Sequence, residues 1–315
     1  MSINHILIVT SEPNSVFLEI LFKYFRFNKK KIEKKITLIG NFEIIKNEAK
    51  KNKFNLKFNK ILHLDEAKNN QLNLIDIKIT SIEKKFTSLY ILKSFKKSLS
   101  LIKNKKDVAL FNGPVEKKTF LKKKYLGMTE YLASKTKSKD PVMLIYNKNL
   151  AVSPMTTHLP IKSVSKNLNK MNIVKKVKSI HNFYKKYFKK NPKFAVLGLN
   201  PHCETIEKIG EEQKIIIPAI NLLKKSKMFI RGPFSADTFF IKNNISNFNC
   251  IIGMYHDQVL TPFKTIFGFD ASNITLGLPF LRMSVDHGPN ENMLGKNKSN
   301  TKSLENIINF INLFK

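Results

Sequence analysis

Three histidines in this chain each follow a short apolar run: AVSPMTT leads to His158, FAVLGLNP to His202 and CIIGMY to His256. Runs of this length and composition predict strands. Each imidazole is therefore expected just past the C-terminal end of a strand, the edge of an open α/β sheet where ligands bind. Three neutral imidazoles with an open fourth position form a catalytic metal site suited to zinc, cobalt, manganese or iron. Histidines after strands also serve as hydrogen-bonded loop residues, and separations of 44 and 54 residues do not by themselves choose between the readings. Cys203, next to His202, is either a thiolate ligand or a small half-buried side chain. His181 falls in a lysine-rich helical stretch and is expected at the surface, while His5 and His63 have no suggestive neighbours.

Positioning such residues requires alternating strands and helices, and the chain alternates in that way, which predicts an α/β protein. Strands are expected at 6–10, 36–39, 74–80, 108–111, 142–146, 150–155, 194–199, 228–230, 250–255, 272–276 and 282–285. Helices are expected near 15–25, 88–102, 129–136, 168–188, 211–224, 237–243 and 303–314. In the last of these, Leu304, Ile307, Ile308, Ile311 and Leu313 recur at helical spacing and make a docking face. The lysine- and asparagine-rich segment 28–73 yields few clear elements. A chain of 315 residues can build two lobes, each with a core. No low-complexity linker separates them, so the lobes are expected to exchange strands, as 1–130 plus 285–315 and 131–284.

The net charge of +33 raises the question of nucleic acid. Of 56 basic residues only Arg26, Arg231 and Arg282 are arginine, the residue that forks onto bases and phosphates. Lysine runs such as 29–31 and 122–124 read as solvated faces, so no nucleic-acid partner is expected. No apolar run approaches the ~20 residues of a membrane-spanning helix, and residues 1–10 read as a first strand rather than a signal peptide. Two cysteines, Cys203 and Cys250, suggest no disulfide framework and point to the cytoplasm. Neither G-x-G-x-x-G, a Walker loop nor G-x-S-x-G occurs. A nicotinamide cofactor would have to bind in a non-Rossmann manner.

Between about residues 112 and 295 a series of motifs appears in order: NGPVEK (112–117), GMTEYLA (127–133), TTHLPI (156–161), GLNPH (198–202), GEE (210–212), GPFSADTFF (232–240), MYHDQ (254–258) and SNITLGLPFLRMSVDHG (272–288). In this the chain resembles the 4-hydroxythreonine-4-phosphate dehydrogenase family. The resemblance implies a two-lobed α/β/α fold similar to isocitrate and isopropylmalate dehydrogenases, with the active site in the cleft between lobes at a homodimer interface. It implies metal ligands at His158, His202 and His256, drawn from both subunits. Substrate contacts fall on Met128, Thr129, Lys264, Asn273 and Arg282, and catalytic roles on Asp237 and Lys264.

The implied reaction is oxidative decarboxylation of 4-phosphooxy-L-threonine to 3-amino-2-oxopropyl phosphate in pyridoxal phosphate biosynthesis. It uses NAD and a divalent metal such as zinc, magnesium or cobalt. The metal lowers the pKa of the substrate hydroxyl, hydride passes to NAD, and the carboxylate β to the new ketone leaves as CO2. Arg282 would grip an anionic group by a fork that lysine cannot copy, or serve the structure alone. Asp237 would orient a ligand, shuttle a proton or cap its helix.

Three departures accompany the resemblance. Met128 stands where the family has a substrate-contacting histidine, and a thioether cannot donate a hydrogen bond. The family's glycine-rich start, G-E-P-x-G-I-G-P-E, reads SEPNSVFLE at 11–19, and the glycines that usually follow the histidine at 202 are absent from 203–209. Two alternatives therefore stand beside the leading reading: a dehydrogenase of another phosphorylated or carboxylated hydroxy acid, and a non-catalytic metal- or ligand-binding descendant.

Overall fold

A computed structural model describes residues 2–28, 33–54, 57–79, 84–116, 120, 125, 127–204, 209–268, 270–285 and 290–314, with 84–86 as backbone only. The lysine runs at 29–31 and 122–124, His287 and the ends of several motifs lie outside these residues. The chain divides into two compact units, Met1–Tyr131 with Pro279–Lys315, and Leu132–Leu278.

In the first unit six strands lie in the order β3 (Phe58–Lys60), β4 (Leu72–Asp76), β2 (Lys35–Gly40), β1 (His5–Val9), β5 (Val108–Asn112) and β12 (Leu281–Ser284). Every pairing is parallel. β1 and β5 are buried along their whole length, as expected where both faces of a parallel sheet are covered. The covering helices are α1 (Phe17–Asn28), α2 (Phe42–Lys51), α3 (Lys84–Ile102) and the last helix, Lys302–Asn312, and α4 (Met128–Thr136) begins in this unit. That last helix buries Leu304, Ile307, Ile308 and Ile311 of the face expected from spacing, together with Phe310, whereas Leu313 falls at its C-cap and is exposed. Phe17 meets Phe111 edge-on at 5.5 Å. A Cβ at Gly113 would come within 2.5 Å of the Phe17 ring, so the glycine of the NGP motif makes room for the core.

The second unit orders its strands β11 (Ser272–Leu276), β6 (Val142–Tyr146), β7 (Ala151–Thr156), β10 (Cys250–Tyr255), β8 (Phe194–Leu197) and β9 (Ile230–Phe234). β6 is antiparallel to both neighbours, and the strands from β7 onward are parallel. Its longer helices are α5 (Lys170–Phe183), α6 (Ile217–Lys225) and α7 (His256–Phe267), and the Lys302–Asn312 helix of the first unit becomes α8. Val259, Leu260 and Phe263 of α7 join Val152, Leu197 and Ile251 in one core cluster. Burying a side chain such as Phe263 is worth about 1.5–3 kcal/mol.

Several elements differ from expectation for identifiable reasons. Helix α7 was not expected because Pro262 interrupts its pattern. Its burial pattern overrides that local penalty. Helix α2 and strand β3 lie in the lysine- and asparagine-rich segment, where α2 is capped by Asn41 accepting from the Ile44 amide at 3.0 Å. The expected helix over 237–243 is two single turns, Ala236–Phe239 and Lys242–Ile245. The strand expected at 228–230 starts at Ile230 and continues to Phe234. β12 belongs to the first unit because its register is set against β5, Arg282 lying opposite Leu110.

His5 is buried in β1, with Nε2 2.7 Å from Thr37 Oγ1. Burial, helped by Lys35, lowers its pKa from 6.5 to about 4. The folded state thus holds it neutral, so its contribution is intact above pH 6.5 and is lost as pH falls toward 4. Urea unfolding of wild type and His5→Gln at pH 7 and pH 4 should show the wild type losing up to about 3 kcal/mol more than the variant over that interval. Parallel losses would remove His5 as the cause.

Candidate metal centre and active site

Strands β7, β10 and β8 lie side by side and run in one direction. In the β7–β10 register Thr156 stands opposite Tyr255, and Thr156 Oγ1 donates to the Met254 carbonyl at 2.8 Å. The two strands therefore leave the sheet level with each other. His158 lies two residues past β7 and His256 directly past β10, and their ring centroids come to 5.9 Å. On the other flank of β10, β8 ends at Leu197 and the chain turns to reach His202.

His256 is the first residue of α7. Its Nδ1 lies 2.6 Å from Asp257 Oδ1. With a carboxylate as acceptor, Nδ1 carries the proton and Nε2 keeps the lone pair that a metal needs, the arrangement by which carboxylates orient ligating imidazoles. His202 and Cys203 both take left-handed backbone, with φ of 55° and 60°. His202 Nδ1 is 4.0 Å from Asp237 Oδ2. Asp237 in turn accepts from Ser235 Oγ at 2.5 Å, and that bond holds its carboxyl below the usual range. Cys203 is half-buried, and burial followed by the nearby Glu212 charge pushes its thiol up, away from the thiolate a ligand requires. His181 is half-buried rather than exposed, and its Nδ1 is screened from solvent.

Two imidazoles on one tetrahedral ion at ~2.0–2.1 Å have ring centres about 5 Å apart. At 5.9 Å His158 and His256 stand somewhat wider than that spacing, and the donor chemistry of the two imidazoles suits a divalent metal. The structure thus brings His158 to His256, and His202 to Asp237. Among the described residues no set of three His, Cys, Asp or Glu groups is gathered closely enough to hold an ion.

The remaining candidates divide between the units. In the second, Lys264 is exposed on α7, and Asn273 on β11 has a buried Oδ1 with no hydrogen-bond partner among the described residues. Such an acceptor costs about 1–3 kcal/mol until a donor reaches it. In the first, Met128 and Thr129 open α4, Met128 buried and Thr129 half-buried. Arg282 is 2% exposed on β12. Its Nε donates to Asn112 Oδ1 at 3.0 Å. Burial pulls its pKa down to about 10, against the pull of the Glu130 carboxylate.

Two side chains that sequence reasoning did not single out organise the histidine loops. Glu212 accepts from the Leu199 and Asn200 amides. Gln258 takes the Met254 amide on Oε1 and donates from Nε2 to the Gly198 carbonyl. Gln258 stands three residues past the N-cap of α7, a position from which glutamine reaches back to free amides. That was its legible signal. Glu212 had only the paired glutamates of GEE ahead of an apolar helix.

A model of the family described as the pyridoxal phosphate biosynthetic protein PdxA matches residues 32–311. The 4-hydroxythreonine-4-phosphate dehydrogenase of Wigglesworthia glossinidia brevipalpis is 36% identical over 97% of this chain and 95% of its own. A structure described as a 4-hydroxythreonine-4-phosphate dehydrogenase from Salmonella typhimurium matches with a TM-score of 0.85 and 26% identity over 99% of each chain. An isocitrate dehydrogenase from Methylococcus capsulatus matches with a TM-score of 0.50 and 9% identity, over 98% of this chain and 84% of its own, and shows the fold alone.

The burial of Arg282 gives it a structural duty that is measurable without substrate. Arg282→Ala should lose about 1–3 kcal/mol in urea unfolding, because the buried Asn112 Oδ1 is left without its donor. Arg282→Lys should restore little of it, since an ammonium cannot reproduce the Nε geometry. A wild-type midpoint in Arg282→Ala would assign the residue to ligand contact alone.

Proposed function

The chain belongs to the family of the pyridoxal phosphate biosynthetic protein PdxA, and we propose from that premise how its residues carry the family's activity. That activity is the 4-hydroxythreonine-4-phosphate dehydrogenase reaction, an oxidoreductase step of pyridoxal phosphate biosynthesis. The substrate is 4-phosphooxy-L-threonine and the product 3-amino-2-oxopropyl phosphate. The observation that carries the reading is the placement of His158, His202 and His256 after three adjacent parallel strands, in a chain aligned to its relatives over nearly its whole length.

His158, His202 and His256 would hold a divalent ion, zinc, magnesium or cobalt, with ligands drawn from both subunits of a homodimer in the cytoplasm. When bound, the ion supplies a Lewis acid for the substrate hydroxyl, and NAD supplies the hydride acceptor. Asp257 fixes the tautomer of His256, and Asp237 stands 4.0 Å from Nδ1 of the exposed His202 imidazole. Lys264 holds an anionic group of the substrate as a mobile point charge. Asn273 offers Oδ1, its unsatisfied acceptor, to a substrate donor, and Thr129 adds a neutral hydrogen bond. Arg282 contributes a permanent positive charge from within the first unit.

Met128 favours a second reading. It is buried at the start of α4 and cannot donate a hydrogen bond, so a different phosphorylated or carboxylated hydroxy acid is the alternative substrate.

Purified protein supplied with NAD, 4-phosphooxy-L-threonine and a divalent metal should form NADH, and chelation or His202→Ala should abolish it. Metal uptake without turnover of this compound, but with turnover of another hydroxy acid in a substrate panel, would transfer the assignment to the second reading. Metal uptake with no NAD binding would reduce the chain to a non-catalytic descendant.

A further inference from the structure

Glu212 is a carboxylate with no exposed surface, and neither the metal nor the substrate assignment uses it. It starts the helical stretch Glu212–Ile216 that runs into α6. Its Oε1 accepts from the Leu199 amide at 2.8 Å and the Asn200 amide at 2.9 Å. Its Oε2 accepts from Asn200 Nδ2 at 2.9 Å. These donors sit on the turn that leaves β8, and His202 follows two residues later.

The same turn is fastened from its other side. The Gly198 amide donates to the Phe234 carbonyl at 2.9 Å, and the Gly198 carbonyl accepts from Gln258 Nε2 at 2.8 Å. Gln258 Oε1 takes the Met254 amide at 2.7 Å, so the β8 exit is tied to the β10 exit that carries His256. A Cβ at position 198 would lie 2.7 Å from Cys203 Sγ and 3.1 Å from Glu212 Oε1. Glycine stands there because those two side chains occupy the space. Beyond the turn, His202 and Cys203 hold a left-handed backbone that L-residues rarely adopt, so their conformation needs outside support.

We propose that Glu212 is the positioning residue for His202. Its carboxylate, through charge-assisted bonds to two backbone amides and one side-chain amide, holds the 199–200 turn so that the imidazole is presented for metal binding. Gln258 sets the distance from that turn to the strand end bearing His256. The proposal rests on the metal assignment made above, and acts one layer behind the ligands, where oriented partners govern affinity without touching the ion.

The test uses full-length, metal-free protein titrated with Co2+ by calorimetry and by visible absorption. Wild type, His202→Ala, Glu212→Ala and Glu212→Gln are compared, with hydrogen exchange followed over residues 198–203. Glu212→Ala should weaken Co2+ binding about 10–100-fold, alter the Co2+ spectrum and speed exchange of the Leu199 and Asn200 amides. Glu212→Gln keeps one oxygen for the two amides but turns an NH2 toward Asn200 Nδ2, so it should recover part of each effect. Wild-type affinity and spectrum in both variants, or in Glu212→Gln should the alanine variant fail to fold, overturn the role of Glu212. Absence of Co2+ binding by the wild type itself overturns the metal assignment instead.

Discussion

Parallel hydrogen bonding among β7, β10 and β8 decides where the three histidines can stand. A parallel ladder aligns strands that start and stop at the same level, so every chain exit on that side faces the same edge. With Thr156 opposite Tyr255 and Cys250 opposite both Ala151 and Phe194, the register leaves little freedom to the residues just beyond. A slip of one residue would turn the apolar side chains of these buried strands to the wrong face. Core packing of Val152, Leu197, Ile251 and Phe263 thus protects the placement of His158, His202 and His256. The chemistry depends on a constraint set by residues that take no part in it.

Backbone conformation at the loops shows a second constraint. The resemblance places a glycine at the start of the N-terminal motif, where this chain has Ser11, and Cys203 here follows His202. Both nevertheless keep left-handed φ, 59° and 60°. The chain retains the turn that glycine makes easily and accepts a cost of about 1–2 kcal/mol per residue for doing so. Hydrogen bonds offset part of it, such as Ser11 Oγ to the Val9 carbonyl at 3.2 Å. At both turns a side chain occupies a backbone conformation that glycine adopts more readily.

Charge is distributed with similar economy. Exposed pairs such as Lys105–Asp65 and Lys175–Asp140 are screened by water, so the lysine excess adds little to stability. The consequential charges are few and enclosed. Arg282 lies buried beside Asn112, with the Glu130 carboxylate acting on it. Glu212 is surrounded by amide donors. Among the described residues no helix is long and apolar enough to cross a membrane.

Much was legible in local pattern. Strands β6, β10 and β11 follow apolar runs whose ends are marked by turn residues, and α8 follows from four apolar positions at helical spacing. The location of His158, His202 and His256 relative to their own strands was readable for the same reason, since it depends on neighbours in the chain. Helix α7 was not readable, because Pro262 lowers its local propensity and only burial of Val259, Leu260 and Phe263 restores it. Nor was the segment 28–73, where α2 and β3 gain their order from a cap and a strand partner. Which histidine meets which, the nearness of His158 to His256 and of His202 to Asp237, required strand order. The bonds of Glu212 to amides 12 and 13 residues away, and of Arg282 to an asparagine 170 residues away, leave no periodic trace. Sequence by itself determined what depends on adjacent residues. The tertiary structure decided every pairing across the chain, because those contacts exist only once the strands are in register.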